Sequence, residues 1–327
     1  MCCLFGIIDY KGKLTYIERK KLLKNLSVCC EERGTDASGI AFMDDGEMHV
    51  VKCGVPAHKL RYHLPRDVRV IMGHTRLTTQ GSEKKVYNNH PFKGKCNNTR
   101  FALAHNGVLY NDTILRAERN LPKTKIETDS YIAVQLIEAK RAFTIDAIKS
   151  MAEDVRGSFC FTLMDDENSI YIVKGDNPMT IFHYKKLGIY IYASTKEILS
   201  KALVISGYGK EKYEDIAIRD GDILKIKSNG ETEKYDFESY AGYRYCFSPY
   251  SWGYEAYYSY NTRNKAKKEA QYRELIDYAA IAGVCEDEVM LLLNNGFEIW
   301  EIEEMLDEPD VIINCIEALL DAEYCFE

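Results

Sequence analysis

The residue with the most chemical potential stands second in the chain. Cys2 opens an apolar run, Cys2-Cys3-Leu4-Phe5-Gly6-Ile7-Ile8, and removal of Met1 would put a thiol and a free α-amine on one residue. An α-amine has a reference pKa of about 7.7–8.0, so near neutrality a useful fraction of it is an unprotonated base. It could take the proton of its own thiol, directly or through one water, and make a thiolate nucleophile without a histidine. Initiator Met is normally removed before a residue as small as Cys. The competing reading is a buried strand cysteine, the commoner fate of this residue type. Position alone leaves the two level. His74, His90 and His105 invite a triad or a metal set, but their spacing suits no common site, and each reads as a satisfied structural histidine. Cys29, Cys30 and Cys160 read as core.

A nucleophile needs a rigid frame, and the chain is long enough to supply one. Its 327 residues are 46% hydrophobic and 28% charged, the balance of an ordinary globular protein with room for one large or two moderate domains. No apolar run approaches a membrane span and no export signal is evident, so no membrane partner is expected. The eleven Cys include no C-x-x-C pair and no zinc spacing, which points to reduced thiols in the cytosol and to no metal. The net charge of −7 is uneven: Cys285–Glu327 holds fourteen Asp and Glu and no Lys or Arg, leaving 36 acidic and 43 basic groups in the other 284 residues. Such a split marks a separate module or a charged docking tail. The mildly basic body is too dilute in Lys and Arg to indicate nucleic-acid binding.

Up to about residue 235 the pattern alternates strands and helices. Strands are expected at Cys2–Asp9, Gly39–Met43, His49–Cys53, Val68–His74 and Phe101–His105, and helices at Tyr16–Glu32, Thr128–Arg141 and Thr144–Val155. Four runs after Gly157 (Ser158–Met164, Ser169–Val173, Thr180–Tyr184 and Gly188–Ala193) read as an antiparallel meander, and Ile223–Ile226 closes the region. Residues 236–264 read as a linker or docking strip, within a tract of nine Tyr over 235–262. Residues 265–327 read as an acidic helical module, with helices near Lys265–Ala282, Glu286–Asn295, Glu298–Leu306 and Val311–Ala322 and an apolar stripe through Ile299, Ile302, Leu306, Ile312, Ile316 and Leu319.

Four further segments stand in order behind Cys2: Arg33-Gly34-Thr35-Asp36-Ala37-Ser38-Gly39, then Gly73-His74-Thr75-Arg76-Leu77-Thr78-Thr79-Gln80-Gly81 with Asn89-His90-Pro91, then Ala104-His105-Asn106-Gly107-Val108, then Glu127-Thr128-Asp129-Ser130. Each alone is weak. Together they resemble the class II, N-terminal-nucleophile glutamine amidotransferase domain, similar to the glutaminase domains of glucosamine-fructose-6-phosphate aminotransferase and amidophosphoribosyltransferase. The resemblance covers about residues 2–235.

The resemblance implies an α+β fold, a four-layer αββα sandwich of two antiparallel sheets with helices on both outer sides. It also implies that L-glutamine is cleaved to glutamate and ammonia with no cofactor. Cys2 would form a γ-glutamyl thioester, with its α-amine as base and later acid. The Asn106 amide and the Gly107 N–H would take the oxyanion; removing one such donor typically costs ~10²–10³ in rate. Arg76 would bind the substrate carboxylate, Asp129 its ammonium, and groups around Thr79 and Gln80 would complete the pocket. Read without the family, Asp129 is a carboxylate at a helix N-terminus, Arg76 a strand-end surface charge and Asn106-Gly107 a hairpin turn. Arg33, Asp36 and Ser38 read as a hydrogen-bond network under the site.

Three positions depart from the pattern: Cys3 replaces a usual Gly, Leu77 a Trp that helps gate ammonia in glucosamine-phosphate synthases, and Gln80 a frequent His. If its backbone needed positive φ, Cys3 would be strained; otherwise it would be a second thiol beside the site. The C-terminal residues hold no P-loop, pyrophosphatase or phosphoribosyl motif, so a free-standing glutaminase subunit is expected, handing ammonia to an acceptor-binding partner protein. Two alternatives stay open: an N-terminal-Cys hydrolase acting on another amide, and a non-catalytic regulatory or binding module with this fold.

Overall fold

The computed structural model describes residues 2–238 and, beyond them, 275–276, 278–280, 282–294, 302, 305–306, 312–314 and 316. The chain divides into two compact units, Met1–Tyr240 and Ala241–Glu327.

In the first unit, two antiparallel sheets carry the fold. One holds seven strands, numbered in chain order and lying in the spatial order β11 (Glu214–Asp215), β9 (Thr180–Tyr184), β10 (Ile189–Ala193), β1 (Cys3–Asp9), β4 (Val70–Arg76), β2 (Ala37–Asp44) and β3 (Glu47–Cys53). The other holds six: β13 (Thr232–Asp236), β12 (Asp222–Ile226), β8 (Ile170–Lys174), β7 (Gly157–Asp165), β6 (Thr99–Leu109) and β5 (Phe92–Cys96). Helices α1 (Tyr16–Cys29) and α5 (Lys196–Ser206) cover the first sheet, and α3 (Tyr131–Ala139) and α4 (Ile145–Asp154) cover the second; α2 (Asp112–Glu118) precedes α3.

Strand alternation builds the layers, because successive side chains leave opposite faces of a sheet. In β1, Cys3, Phe5 and Ile7 pack with Leu22, Leu26 and Leu199 on the helix side, whereas Leu4 and Ile8 join Met72, Ala102, Ala104 and Tyr192 between the sheets. Gly6 makes room for Tyr192, whose ring would lie 2.4 Å from a Cβ at that position. In β6, Phe101 and Leu103 face α3 and α4 while Ala102 and Ala104 face the other sheet. The arrangement is the four-layer αββα sandwich expected from the sequence.

Several local expectations need correction. Asn106 and Gly107 are not a turn: both lie inside β6, opposite Cys160 and Phe159 of β7. The four runs after Gly157 are two hairpins in different sheets, β7–β8 and β9–β10, rather than one meander. Both hairpins are apolar on both faces, so either sheet satisfies the local pattern, and the chain crosses between them after Lys174. The helix expected from Thr128 starts at Tyr131, leaving Asp129 and Ser130 ahead of it. Not anticipated are β5, β11, β13, α2 and α5. The last is bounded by ordinary signals, a Thr195 N-cap and Gly207 at φ +96°. The end of the first expected helix, Cys30–Glu32, is a 3₁₀ turn.

In the second unit, the described residues include α6 (Glu286–Asn294), preceded by Gly283 at φ +85°, and an apolar cluster with Leu275, Ala279, Val289, Leu292, Ile302, Leu306, Ile312 and Ile316. Most of the Tyr-rich strip, with Ile299 and Leu319, lies outside the described residues. Among the described residues, no helix is long and apolar enough to cross a membrane.

Three buried histidines cluster in the first unit. The His74 and His90 rings are 4.2 Å apart, and His74 Nε2 donates to the His105 carbonyl at 3.0 Å. Burial lowers all three pKa values, that of His74 to about 3 and that of His90 well below the ordinary value. Each is therefore neutral in the fold and charged when unfolded below pH ~6.5, so the unfolded state binds more protons and stability falls as pH falls. Each histidine should remove up to ~1.4 kcal/mol per pH unit below pH ~6.5. Denaturant melts at pH 7, 6 and 5 should show the midpoint falling steeply; a flat series would contradict the neutral trio.

Candidate active site

The register of β1 brings the separated motifs together. Cys3 pairs with Thr75 of β4, so Cys2 stands beside Arg76 at the end of the strand. Counting alternately, Cys2 falls with Leu4 on the inter-sheet side, as Arg76 does with Met72 and His74. Asn106 follows Ala102 and Ala104 to that side from the opposite sheet. A cleft opens there, lined by Cys2, Arg76, Thr79, Gln80, Gly107 and Asp129, together with Leu77, His90, His105, Thr128 and Ser130. Asn106 is fully buried just behind this lining.

Cys2 is partly exposed and its thiol donates to the Leu77 carbonyl at 3.5 Å. Burial pushes this thiol above its ordinary value, while the hydrogen bond at Leu77 and the positive charges of the chain N-terminus and Arg76 pull it back. The Cys160 thiol, by contrast, is driven by burial to about 12 and is an inert core group. Arg33 Nε donates to the Cys2 carbonyl at 2.8 Å, and Asp36 accepts from the Thr78 N–H at 2.6 Å. The network expected under the site is thus made by Arg33 and Asp36. Ser38 Oγ is buried without a hydrogen-bond partner and takes no part in it.

Cys3 does not stand beside the cleft. It has no positive φ, and alternation turns it toward α1 and Cys30, so replacing Gly here brings no strain and adds no thiol to the site. Arg76 is buried and already engaged: Nη1 donates to Asn89 Oδ1 at 2.6 Å, and Nη2 to the Gln80 and Gly81 carbonyls at 2.6 and 3.2 Å. It is no surface charge, and only part of its five-donor fork remains for a ligand. The Asp129 carboxylate does not cap α3. Its Oδ2 accepts from the Leu109 N–H at 2.6 Å and its Oδ1 from the Ser130 hydroxyl at 3.3 Å.

Gly107 has φ +146°, and a Cβ there would meet the Ser158 carbonyl at 1.9 Å, so only glycine fits. Asn177 Nδ2 fixes the preceding carbonyl, that of Asn106, at 3.0 Å. Of the histidines read as satisfied, His74 is so, whereas both ring nitrogens of His90 and Nε2 of His105 are buried without a hydrogen-bond partner. His105 Nδ1 lies 2.8 Å from Ser130 Oγ. The loops that line the cleft are tied together: Glu127 accepts from Asn88 Nδ2 at 2.8 Å, returns its own N–H to Asn88 Oδ1 at 3.0 Å, and pairs with Lys85. The sequence does not single out Thr128 and Ser130 as lining residues, although both flank Asp129 in its motif. Among the described residues, no cluster of three or more His, Cys, Asp or Glu could hold a metal ion.

Comparison with known proteins agrees with this geometry. Residues 74–201 match the family described as a glutamine amidotransferase domain. The chain is 28% identical over 239 residues to 7-cyano-7-deazaguanine synthase 2 of Sulfurisphaera tokodaii, covering 69% of this chain and 50% of that one. It is 31% identical over 234 residues to the isomerizing glutamine–fructose-6-phosphate aminotransferase of Listeria innocua, covering 69% and 36%. The solved glutamine phosphoribosylpyrophosphate amidotransferase of B. subtilis shares the fold, with a TM-score of 0.57 at 22% identity over 72% of this chain and 49% of that one. The chain thus spans half or less of the length of these relatives. With the motifs, the sandwich and the family match in agreement, the chain carries a glutamine amidotransferase domain of the class II, N-terminal-nucleophile enzyme family.

Proposed function

We propose that this chain hydrolyses L-glutamine to glutamate and ammonia in a reducing, cytosolic setting, and that a partner protein holds the acceptor of the ammonia. The observation that carries this reading is the convergence of Cys2, Arg76 and Asp129 on one cleft, a thiol together with the two charges that the α-groups of an amino acid require. An acyl amide without those groups would leave the remaining N–H groups of Arg76 and the charge of Asp129 desolvated with no opposite charge from the ligand, which argues against such substrates.

With Met1 removed, the α-amine of Cys2 takes the thiol proton and the thiolate attacks the side-chain amide carbon, forming the C–S bond as the carbonyl electrons move to oxygen. The Asn106 Nδ2 and the Gly107 N–H donate hydrogen bonds to that oxyanion. Collapse breaks the C–N bond, and the protonated amine gives its proton to the departing ammonia. A water deprotonated by the same amine then cleaves the thioester, releasing glutamate and restoring the thiol. Arg76 takes the substrate carboxylate with the N–H groups not spent on Asn89, Gln80 and Gly81, while Thr79 and Gln80 line its side of the cleft. Asp129 takes the ammonium.

Incubation with 6-diazo-5-oxo-L-norleucine followed by peptide mass analysis should show loss of Met1 and one adduct on Cys2, absent in Cys2→Ala. An unprocessed, unlabelled N-terminus would overturn the reading for this chain. Steady-state ammonia release separates the remaining roles. Asn106→Ala should lower kcat by ~10²–10³ with little change in KM. Arg76→Lys and Asp129→Asn should instead raise KM for glutamine by roughly tenfold or more, as losses of charged hydrogen bonds. The opposite pattern would reverse the assignments.

A further inference from the structure

Ser194 follows β10, is fully buried, and has no role in the reaction as described. Its N–H donates to the Leu4 carbonyl at 3.0 Å and its Oγ accepts from the Leu4 N–H at 2.9 Å, so one residue holds both polar groups of the backbone two positions after Cys2. The same Oγ lies 3.4 Å from Asn106 Nδ2 on the opposite sheet. That contact is long for a hydrogen bond, and it leaves Asn106 Oδ1 buried without a partner.

The balance of donors and acceptors is uneven at this point. A hydroxyl that accepts from Leu4 still has its own proton to give. One acceptor beside it is the Cys3 sulfur, which is weak. The other is the Asn106 amide, once its oxygen rather than its nitrogen faces Ser194. The two orientations differ by a half-turn that exchanges groups of nearly equal size. The turned form gives the orphaned oxygen a donor and the serine proton an acceptor, and it moves the unpartnered position to Nδ2, whose N–H groups then await an acceptor such as the oxyanion.

We propose that Ser194 is the positioning residue for Asn106. Its hydroxyl accepts from the Leu4 N–H and donates to Asn106 Oδ1, so that Nδ2 is turned away from Ser194 and kept free for the oxyanion beside the Gly107 N–H. The nucleophile strand and the oxyanion strand, which belong to different sheets, are thereby joined through one hydroxyl. The inference rests on the reading of Asn106 as an oxyanion donor.

A double-mutant cycle on the full chain tests it. Ser194→Ala should lower kcat for glutamine about tenfold, the worth of one buried hydrogen bond, with KM unchanged. Ser194→Thr, which keeps the hydroxyl, should restore most of the loss. In an Asn106→Ala background, Ser194→Ala should have no further effect on kcat. If Ser194→Ala does not fold because the Leu4 N–H is orphaned, Ser194→Cys, near-isosteric and a weak donor, should give the same pattern. Independent, multiplying effects of the two sites, or a change in KM alone, would overturn the role of Ser194 while leaving the glutaminase reading intact. An Asn106→Ala variant with full kcat would remove the oxyanion role of Asn106 and, with it, the role of Ser194.

Discussion

Every polar group at the cleft depends on the register of β1 at the centre of the seven-stranded sheet. All seven of its residues are buried, flanked by β4 on one side and β10 on the other. A backbone buried on both faces must find partners for its N–H and C=O groups within the ladder. A slip by one residue would exchange its two faces. Phe5 and Ile7 would then enter the space between the sheets, and Cys2 would turn toward α1. The large apolar cost of that exchange is what holds a small thiol at one height beside Arg76. The height of a catalytic group is thus set by residues that never touch substrate.

Around that fixed strand, the loops are held chiefly by side chains bonded to backbone. Arg33 fastens the Cys2 carbonyl, Asp36 the Thr78 N–H, Arg76 the Gln80 and Gly81 carbonyls, and Asp129 the Leu109 N–H. The Arg33, Asp36 and Asp129 bonds join segments distant in sequence, the Arg76 bonds close a local loop, and each satisfies a backbone group. The charged groups of the cleft therefore have two tasks, since Arg76 and Asp129 shape the walls they also present. Lys52 adds to this support: it donates to the Pro91 carbonyl at 3.0 Å, and burial lowers its pKa to about 8.

What the chain reveals before folding differs from element to element. The strands around Cys2 and Phe101 and the helix after Thr144 are legible because their apolar periods are strong, and the helix after Thr15 carries a Thr15–Glu18 capping box at its start. β5 alternates perfectly, buried at Phe92, Gly94 and Cys96, yet its short run of Lys and Gly reads as loop. β13 lies at a sheet edge with no buried residue, so no apolar signal exists to find it. Asn106-Gly107 is the sharpest case: the dipeptide favours a hairpin turn, but long-range pairing with β7 holds it extended, with Gly107 at a φ no other residue tolerates.

The linear order of Cys2, Arg76, Asn106-Gly107 and Asp129, each with its neighbours, belongs to the sequence, and so does the alternation that gives each strand two apolar faces. Those are local properties, carried by residue type and spacing. Which hairpin joined which sheet, that Cys3 turned to the core while Cys2 met the cleft, and that Arg76 entered it with three hydrogen bonds already made were decided only when the strands paired. Pairing satisfies backbone groups between segments far apart in the chain, and no local pattern records which distant partner will do so.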